Sequence, residues 1–378
     1  MNPINPKIVI IDDEKNKDTL KFTISGINVS LANAIRRTIL ADIPIVCFKT
    51  TPYEENKANI LINTSRLNNE IIKQRLSCIP ININLKNDHD TFPFKQYLLE
   101  INVENLSDNI IYITTENFNI IDSSTCKSIG KEHIRQIFPV NDITGNFIDF
   151  LRLKPKLSEE LLGEKLHLTC KFSIETAKEN GMFNAVSNCS YGFSLDMESI
   201  DTAVNIKKQE LKDIGKDKDE IDFEIKNWYL LDALRITKKD SFDFSIQTAC
   251  AYSNYELIHK SCDVLISKLD DLNLIIENDT LEINVSENTM SNCFDIILQN
   301  EDYTIGKILE YMLYINFYEG NKILTFCGFK KTHPHNEFSI IRVAYKEAIE
   351  KSTIKLNMNS CINELIDIYR KIKKSFKL

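Results

Sequence analysis

One local plan occurs twice in this chain, once near each end, and that echo restricts the possible folds more than any other feature. In the first copy a strand-like run from Leu20 to Ile27 leads to Ser30, a residue type favoured as a helix N-cap. The segment that follows, LANAIRRTILADI, places Leu31, Ala34, Ile35, Thr38 and Ile39 on one helical face, and Pro44 stops it. In the second copy Phe294 to Leu298 reads as a strand and Thr304 takes the cap place. Ile305, Ile308, Leu309, Met312 and Leu313 then give the i, i+3, i+4, i+7, i+8 stripe of an amphipathic helix. Laying Ser30 over Thr304 aligns both stripes without a gap. Each copy also has a later amphipathic helix. These are Tyr255 to Leu269, with Ile258, Cys262, Leu265, Ile266 and Leu269 on one face, and Cys361 to Phe376, with Ile362, Leu365, Ile366, Tyr369 and Ile372. A strand–helix–strands–helix unit repeated in this order predicts an α+β fold built from two divergent copies.

The rest of the chain is arranged around these copies. Short strand-like runs (Ile60 to Ile62, Tyr97 to Val103, Ile110 to Thr114) alternate with Asn/Asp-rich turns, which predicts a mainly β insertion over 51–165. Residues 1–50 and 166–271 then form the two parts of the first copy. A charged, helical insertion at about 201–227 ends at the lone Trp228. Residues 272–290 read as a connection, and 291–378 as the second copy.

The chemistry of a self-sufficient active site is missing. A nucleotide-polymerising centre clusters acidic residues around two metal ions. Here Asp217-Lys218-Asp219-Glu220 lies in a charged segment that reads as a solvated turn or helix face, and Asp12-Asp13-Glu14 reads as a turn before the first strand. The ten cysteines stand no closer than twelve residues apart, so no Cys-x2-Cys pair can start a zinc site. His333-Pro334-His335 reads as a turn. No GxxxxGK[ST] or GxSxG motif occurs. No metal or cofactor is expected.

The net charge of -8 lacks the basic character of a chain that grips a nucleic-acid backbone alone, so little or no direct nucleic-acid contact is expected. The first residues carry no signal-peptide pattern, and no apolar run reaches the ~18 residues of a membrane span. An intracellular chain with free thiols and no membrane contact is expected.

Several runs together resemble the alpha family of multisubunit RNA polymerases. NVSLANAIRRTILADIPIVCF (28–48) resembles that family's first dimerisation helix, with the paired arginines Arg36 and Arg37 and the closing Pro44. IIKQRLSCIPI (71–81) is similar to the next element, with Arg75-Leu76 followed by Ile79-Pro80. FSIETAKENGMFNAVSNCSYGF (172–193) and SFDFSIQTACAYSNYELIHKSCDVLISKL (241–269) resemble the return to the dimerisation domain and its last strand and helix. The second copy resembles the small partner, the eleventh subunit of polymerase II. NEDYTIGKILEYML (300–313) is like its Glu-Asp-His-Thr-Leu-Gly-Asn signature, with Tyr303 in place of His and Lys307 in place of Asn. GFKKTHPHNEFSIIRV (328–343) is like its Tyr-x-x-x-His-Pro turn, with Phe329 in the Tyr place. Two departures limit the likeness. The inserted segment has only Cys78 and Cys126, so the clustered cysteines of many relatives have no counterpart, and nothing here matches the bacterial C-terminal DNA-binding domain.

The resemblance implies two alpha-subunit-type dimerisation units packed as an intramolecular pseudo-dimer, plus the inserted domain. Its seam would be Leu31, Ile35, Ile39, Ile305, Leu309, Met312 and Leu313. Arg36 and Arg37 would dock against a large subunit, their forked guanidinium groups holding carboxylates or carbonyls. The implied role is a non-catalytic platform for two large catalytic RNA polymerase subunits, with other small polymerase subunits as further partners. Fusion of the two partner types resembles the arrangement in nucleocytoplasmic large DNA viruses. That implies a viral factory in the host cytoplasm, and the virion, as locations. Two alternatives stay open at this point: a nucleic-acid-binding transcription accessory factor, marked by a basic patch on the inserted domain, and an α+β enzyme with a pocket at the repeat interface.

Overall fold

Two helices, one near each end of the chain, are capped two residues before the expected positions. In the computed structural model, which describes residues 4–14, 19–85, 96–156, 158, 162–287 and 289–376, the Asn28 side chain accepts the Ser30 backbone N–H at 2.9 Å. The Asp302 side chain accepts the Thr304 backbone N–H at 2.8 Å. Ser30 and Thr304 are therefore corrected as caps. Each sits inside the first turn as the donor, because Asn and Asp side chains reach a backbone N–H two residues on. The two helices still start in register, since both caps move by the same step.

The chain opens with β1 (Lys7–Glu14), β2 (Thr19–Ser25) and α1 (Val29–Ala41). It continues through β3 (Ile45–Cys47), β4 (Ala58–Asn63), α2 (Asn69–Ser77), β5 (Tyr97–Glu104), β6 (Ile111–Thr114) and β7 (Asn119–Asp122). Next come β8 (Lys127–Ser128), α3 (Lys131–Ile137), β9 (Asp149–Leu153), β10 (Lys165–Lys171) and β11 (Ser173–Glu175). β12 (Val186–Leu195), α4 (Met197–Asp213), α5 (Lys218–Leu231) and β13 (Thr237–Thr248) lead into α6 (Asn254–Glu277). The last stretch holds β14 (Ile283–Val285), β15 (Cys293–Gln299), α7 (Tyr303–Leu313), β16 (Leu324–Lys330), β17 (Phe338–Tyr345) and α8 (Lys351–Ser375).

The chain divides into two units. The first comprises Met1–Ile39, Asn188–Gln247 and Asn254–Leu378. It holds two four-stranded antiparallel sheets, ordered β1-β2-β13-β12 and β14-β15-β17-β16. Strict alternation in β2 buries Leu20, Phe22 and Ile24, the period-2 signature of a sheet with one covered face. Phe22 lies opposite Phe244 of β13 in register, and the rings stack at 5.2 Å between centroids. In the second sheet Ile296 of β15 faces Ile341 of β17, both fully buried. Burying one such side chain is worth about 1.5–3 kcal/mol, so these rows account for much of the unit's stability. Asp12 and Asp13, expected in a turn, pair with Lys21 and Leu20 inside β1. The strand tolerates them because its neighbours Val9 and Ile11 are exposed, leaving this part of the edge in water.

The expected connection over 272–290 is also corrected. α6 runs on to Glu277 with Leu272 and Ile276 buried, and Ile283–Val285 joins the second sheet as β14. Residue 288 lies outside the described residues.

The second unit comprises Leu40–Ser187 and Thr248–Ser253. Its five-stranded sheet is ordered β4-β10-β5-β7-β8, beside the two-stranded pairs β6–β9 and β3–β11. Leu99, Ile101, Ile120, Leu166 and Leu168 form its core with Phe118, Phe138 and Phe150 from the surrounding segments. The unit outruns the expected 51–165 on both sides, because β10 is a central strand and not the return to another domain. Residues 86–95, 157 and 159–161 of the expected insertion lie outside the described residues.

Between β12 and β13, α4 and α5 form a helical hairpin with a core of its own: Ile200, Val204, Leu211, Ile221, Ile225 and Ala233, with Trp228 packed against it. Asp217 caps α5 by accepting the Glu220 N–H at 2.8 Å, so the acidic run there starts a helix. No helix among the described residues is long and apolar enough to cross a membrane.

Candidate functional site

The two helices singled out by their stripes are joined through one carboxylate. Asp302 spends one oxygen on its own helix, capping α7. The other accepts Nη2 of Arg37 from α1 at 2.7 Å, while Arg37 Nε donates to the Thr304 hydroxyl at 3.0 Å. A guanidinium fork and a cap thus share one anchor, and the cationic side chain lies where α7 begins. Burial pushes the Asp302 carboxyl up, but the Thr304 N–H and hydroxyl and the Arg37 guanidinium outweigh it. The group sits below the ordinary carboxylate value.

The motif around Asp302 also explains its glycine. A Cβ on Gly306 would stand 1.9 Å from the ring of Phe329, and the same ring meets Tyr303 edge-on at 5.2 Å. Phe329 therefore covers the first turn of α7 only because residue 306 has no side chain. On the opposite side of this sheet's ladder, Arg342 of β17 holds Asp295 of β15 through both carboxylate oxygens at 2.6 and 2.7 Å. The Arg342 hydrogen bonds are the main cause of a lowered Asp295 pKa.

Arg36 points elsewhere. Its Nε and Nη2 both donate to the Asn33 side chain, at 3.1 and 2.9 Å, within α1 itself. The neighbouring arginines thus part company, as residues about 100° apart on a helix must. Arg37 is engaged inside the chain and Arg36 is held half-exposed on the helix surface.

Leu31, Ile35, Ile39, Ile305, Leu309, Met312 and Leu313 are all buried. The long side-by-side contact between the two parts of the unit runs between α6 and α8. His259 Nε2 donates to the Phe376 carbonyl at 2.7 Å, and Asn273 donates to Asn363 at 3.2 Å. Lys373 pairs with Asp263 and Lys355 with Asp279. Partners fall along one helix as they rise along the other, so the two run antiparallel over most of their length. Leu257, Cys262, Leu265 and Leu269 of α6 are buried, as are Ile354, Met358, Cys361, Leu365 and Tyr369 of α8. At its end Phe376 meets Phe22 of the first sheet edge-on at 5.0 Å.

Sequence reasoning missed this pair as the principal contact, although it had named part of both helices. The signal was present in Ile354, Met358, Cys361 and Leu365, whose helical spacing extends the expected start of α8 by ten residues. Interleaved asparagines and lysines concealed it. Asp302 as the partner of Arg37 was also missed, and no spacing rule joins residues so far apart in sequence.

No group of three or more His, Cys, Asp or Glu side chains among the described residues is arranged to hold a metal ion. Among the described residues no cysteine is in a disulfide, and burial raises Cys47, Cys189 and Cys262 to about 12, which keeps them as neutral thiols. Arg75, from the other arginine motif, is a tie within the second unit: it donates to the carbonyls of Phe150 at 2.7 Å and Asp149 at 3.0 Å.

Residues 21–269 match the family model of the RNA polymerase Rpb3/Rpb11 dimerisation domain. Among similar proteins, the DNA-directed RNA polymerase subunit Rpo3 of Pyrococcus furiosus is 33% identical over 100 residues, covering 26% of this chain and 36% of that protein. The rpac1 subunit of DNA-directed RNA polymerases I and III from Dictyostelium discoideum is 33% identical over 96 residues, 25% of each chain. These matches span a third or less of the lengths involved, apart from the slightly larger share of the Pyrococcus protein. The Rpo3 subunit of Archaeoglobus fulgidus is 22% identical over 300 residues, covering 72% of this chain and 98% of that protein.

Proposed function

The chain belongs to the RNA polymerase Rpb3/Rpb11 dimerisation-domain family, and we propose that it is a non-catalytic assembly platform of a DNA-directed RNA polymerase. In this reading the alpha-like part and its small partner are one polypeptide, packed as an internal pseudo-dimer, as in large DNA viruses. Its partners are the two large catalytic subunits and other small polymerase subunits, in a viral factory in the host cytoplasm and in the virion. The family match ends at Leu269, so the assignment of the remainder to the small partner is ours.

The observation that carries the reading is the link from Arg37 to Asp302 and Thr304. It joins the arginine motif of one copy to the Glu-Asp-x-Thr-x-Gly motif of the other, with a hydrogen-bonding job for Arg37, Asp302 and Thr304. The antiparallel α6–α8 pair supports it. Fusion would hold the two parts at an effective concentration of roughly millimolar or above, so the pair would be preassembled before any large subunit arrives. Arg36, left on the surface of α1, is the docking contact we assign to a large subunit.

Affinity purification of the tagged chain from its native source tests the proposal. Two much larger polypeptides should accompany it and carry template-dependent RNA synthesis, while the chain alone incorporates no nucleotide. Recovery without large partners, or synthesis by the purified chain alone, would overturn it.

A further inference from the structure

A pocket of about 320 Å³ in the second unit brings together three arginines, Arg66, Arg75 and Arg152, with Tyr112 and the apolar Leu67 and Leu151. We propose that it is a docking site for an acidic segment of a protein partner, one that carries an apolar side chain between its carboxylates. The proposal rests on the pocket and not on the polymerase reading.

Each arginine is presented in a defined way. Arg66 sits on a short turn tied at its base by Asn63, which accepts the Ser65 N–H at 3.0 Å and donates to the Leu67 carbonyl at 2.9 Å. Arg75 is oriented by its two bonds to the β9 carbonyls, which use Nε and Nη2 of a five-donor group. Arg152 lies directly opposite Tyr112 in the β6–β9 register, so both side chains share one face. Among the described residues neither Arg66 nor Arg152 has a carboxylate within salt-bridge distance. The chain carries 54 acidic residues against 46 basic ones, so internal partners were not scarce. Arginines gathered around a concavity, two of them without a carboxylate partner, mark a place where an outside acceptor gains most.

The lining also selects the kind of acceptor. Three arginines line the pocket with one acidic residue, Asp149, which leaves a modest positive surplus suited to one or two anionic groups. A nucleic-acid strand needs a longer basic track than three arginines around one concavity provide. Leu67 is half-buried against the unit's core and Tyr112 is 55% exposed, so the pocket offers an apolar patch and an aromatic wall. Planar carboxylates meeting planar forks, with one apolar group between them, satisfy all of these features.

Fluorescence anisotropy with the full chain tests this. The probe is a labelled ~10-residue peptide of aspartate and glutamate around a single phenylalanine. Its asparagine/glutamine counterpart and a labelled single-stranded RNA of ~10 nucleotides form the comparison arms. The acidic peptide should bind, more weakly as salt rises, and the neutral peptide and RNA should not. Arg66→Glu with Arg152→Glu should weaken binding at least ~10-fold with an unchanged melting curve, and Arg66→Lys with Arg152→Lys should fall between. Should charge reversal disturb the fold, Arg66→Gln with Arg152→Gln gives the same readout. No binding of the acidic peptide, equal binding by a folded charge-removed variant, or tighter binding of the RNA would each overturn the proposal.

Discussion

At the scale of single residues, Arg36 and Arg37 show how far a sequence reading reaches. Their adjacency on a helix predicts that they point apart, and they do. It does not say where, because direction on a wheel is local and a target is tertiary. Arg37 proves to have a partner within the chain, so the two substitutions should separate. Arg37→Ala strands the Asp302 carboxylate and should cost about 1–2 kcal/mol in a chemical melt, a figure kept low because both side chains are about a third exposed. Arg36→Ala should leave stability within about 0.5 kcal/mol but reduce recovery of a large subunit in a pull-down. Equal effects of the two on stability would contradict the assignment. Acid titration gives a second check. Because the Asp302 pKa is lowered in the folded state, its contribution is present above the unfolded value of ~4 and is lost as pH falls through the lower folded value. Asp302→Asn should therefore melt lower than the parent at neutral pH, and the gap should close at strongly acid pH. A gap independent of pH would refute the role given to its charge.

Among the elements, those with one clean period were legible and those with mixed signals were not. The stripe of α7 and the alternation of β2 are each dictated by which face is dry; the stripe appears at the expected residues, and β2 covers the expected run from Leu20 as far as Ser25. Cap positions slipped by two because Ser30 and Thr304 are good caps in isolation, while Asn28 and Asp302 are better placed to reach a backbone N–H. Residues 278–280, Asn-Asp-Thr, read as a linker, but 272–277 hold Leu272, Leu274, Ile275 and Ile276, and the buried Leu272 and Ile276, a turn apart, continue α6. The fit of α7 against Phe329 gives a direct prediction. Gly306→Ala must displace the aromatic ring and should cost about 1–3 kcal/mol, and Phe329→Leu in the same chain should recover part of it. An alanine variant as stable as the parent would mean that the ring moves freely. The α4–α5 hairpin should be separable. Its core is its own, and the Asp196 N–H meets the Ile236 carbonyl at 3.1 Å across its base. Replacing 197–235 by a two-residue turn should leave a cooperative melt within a few degrees of the parent, and loss of cooperativity would show that the hairpin supports the sheet.

For the whole molecule, we propose that one chain holds both members of the dimerising pair. The unit that carries the candidate site is assembled from three separated stretches, which composition and periodicity alone do not announce. What made it partly legible was the repeat: two copies with stripes of the same phase need partners for their apolar faces, and each can supply the other. The contact that sequence did not rank first, α6 against α8, is then the longest one, because helices of this length bury more rows than the short capped ones. The most direct test is to break the chain between Asn278 and Asp279, after α6 and before β14, and coexpress 1–278 with 279–378. No sheet or helix is cut there, so the fragments should copurify as a one-to-one complex. Either fragment expressed alone should aggregate through its uncovered helix face. Two soluble, folded fragments that do not associate would contradict the claim that the chain is a fused pair.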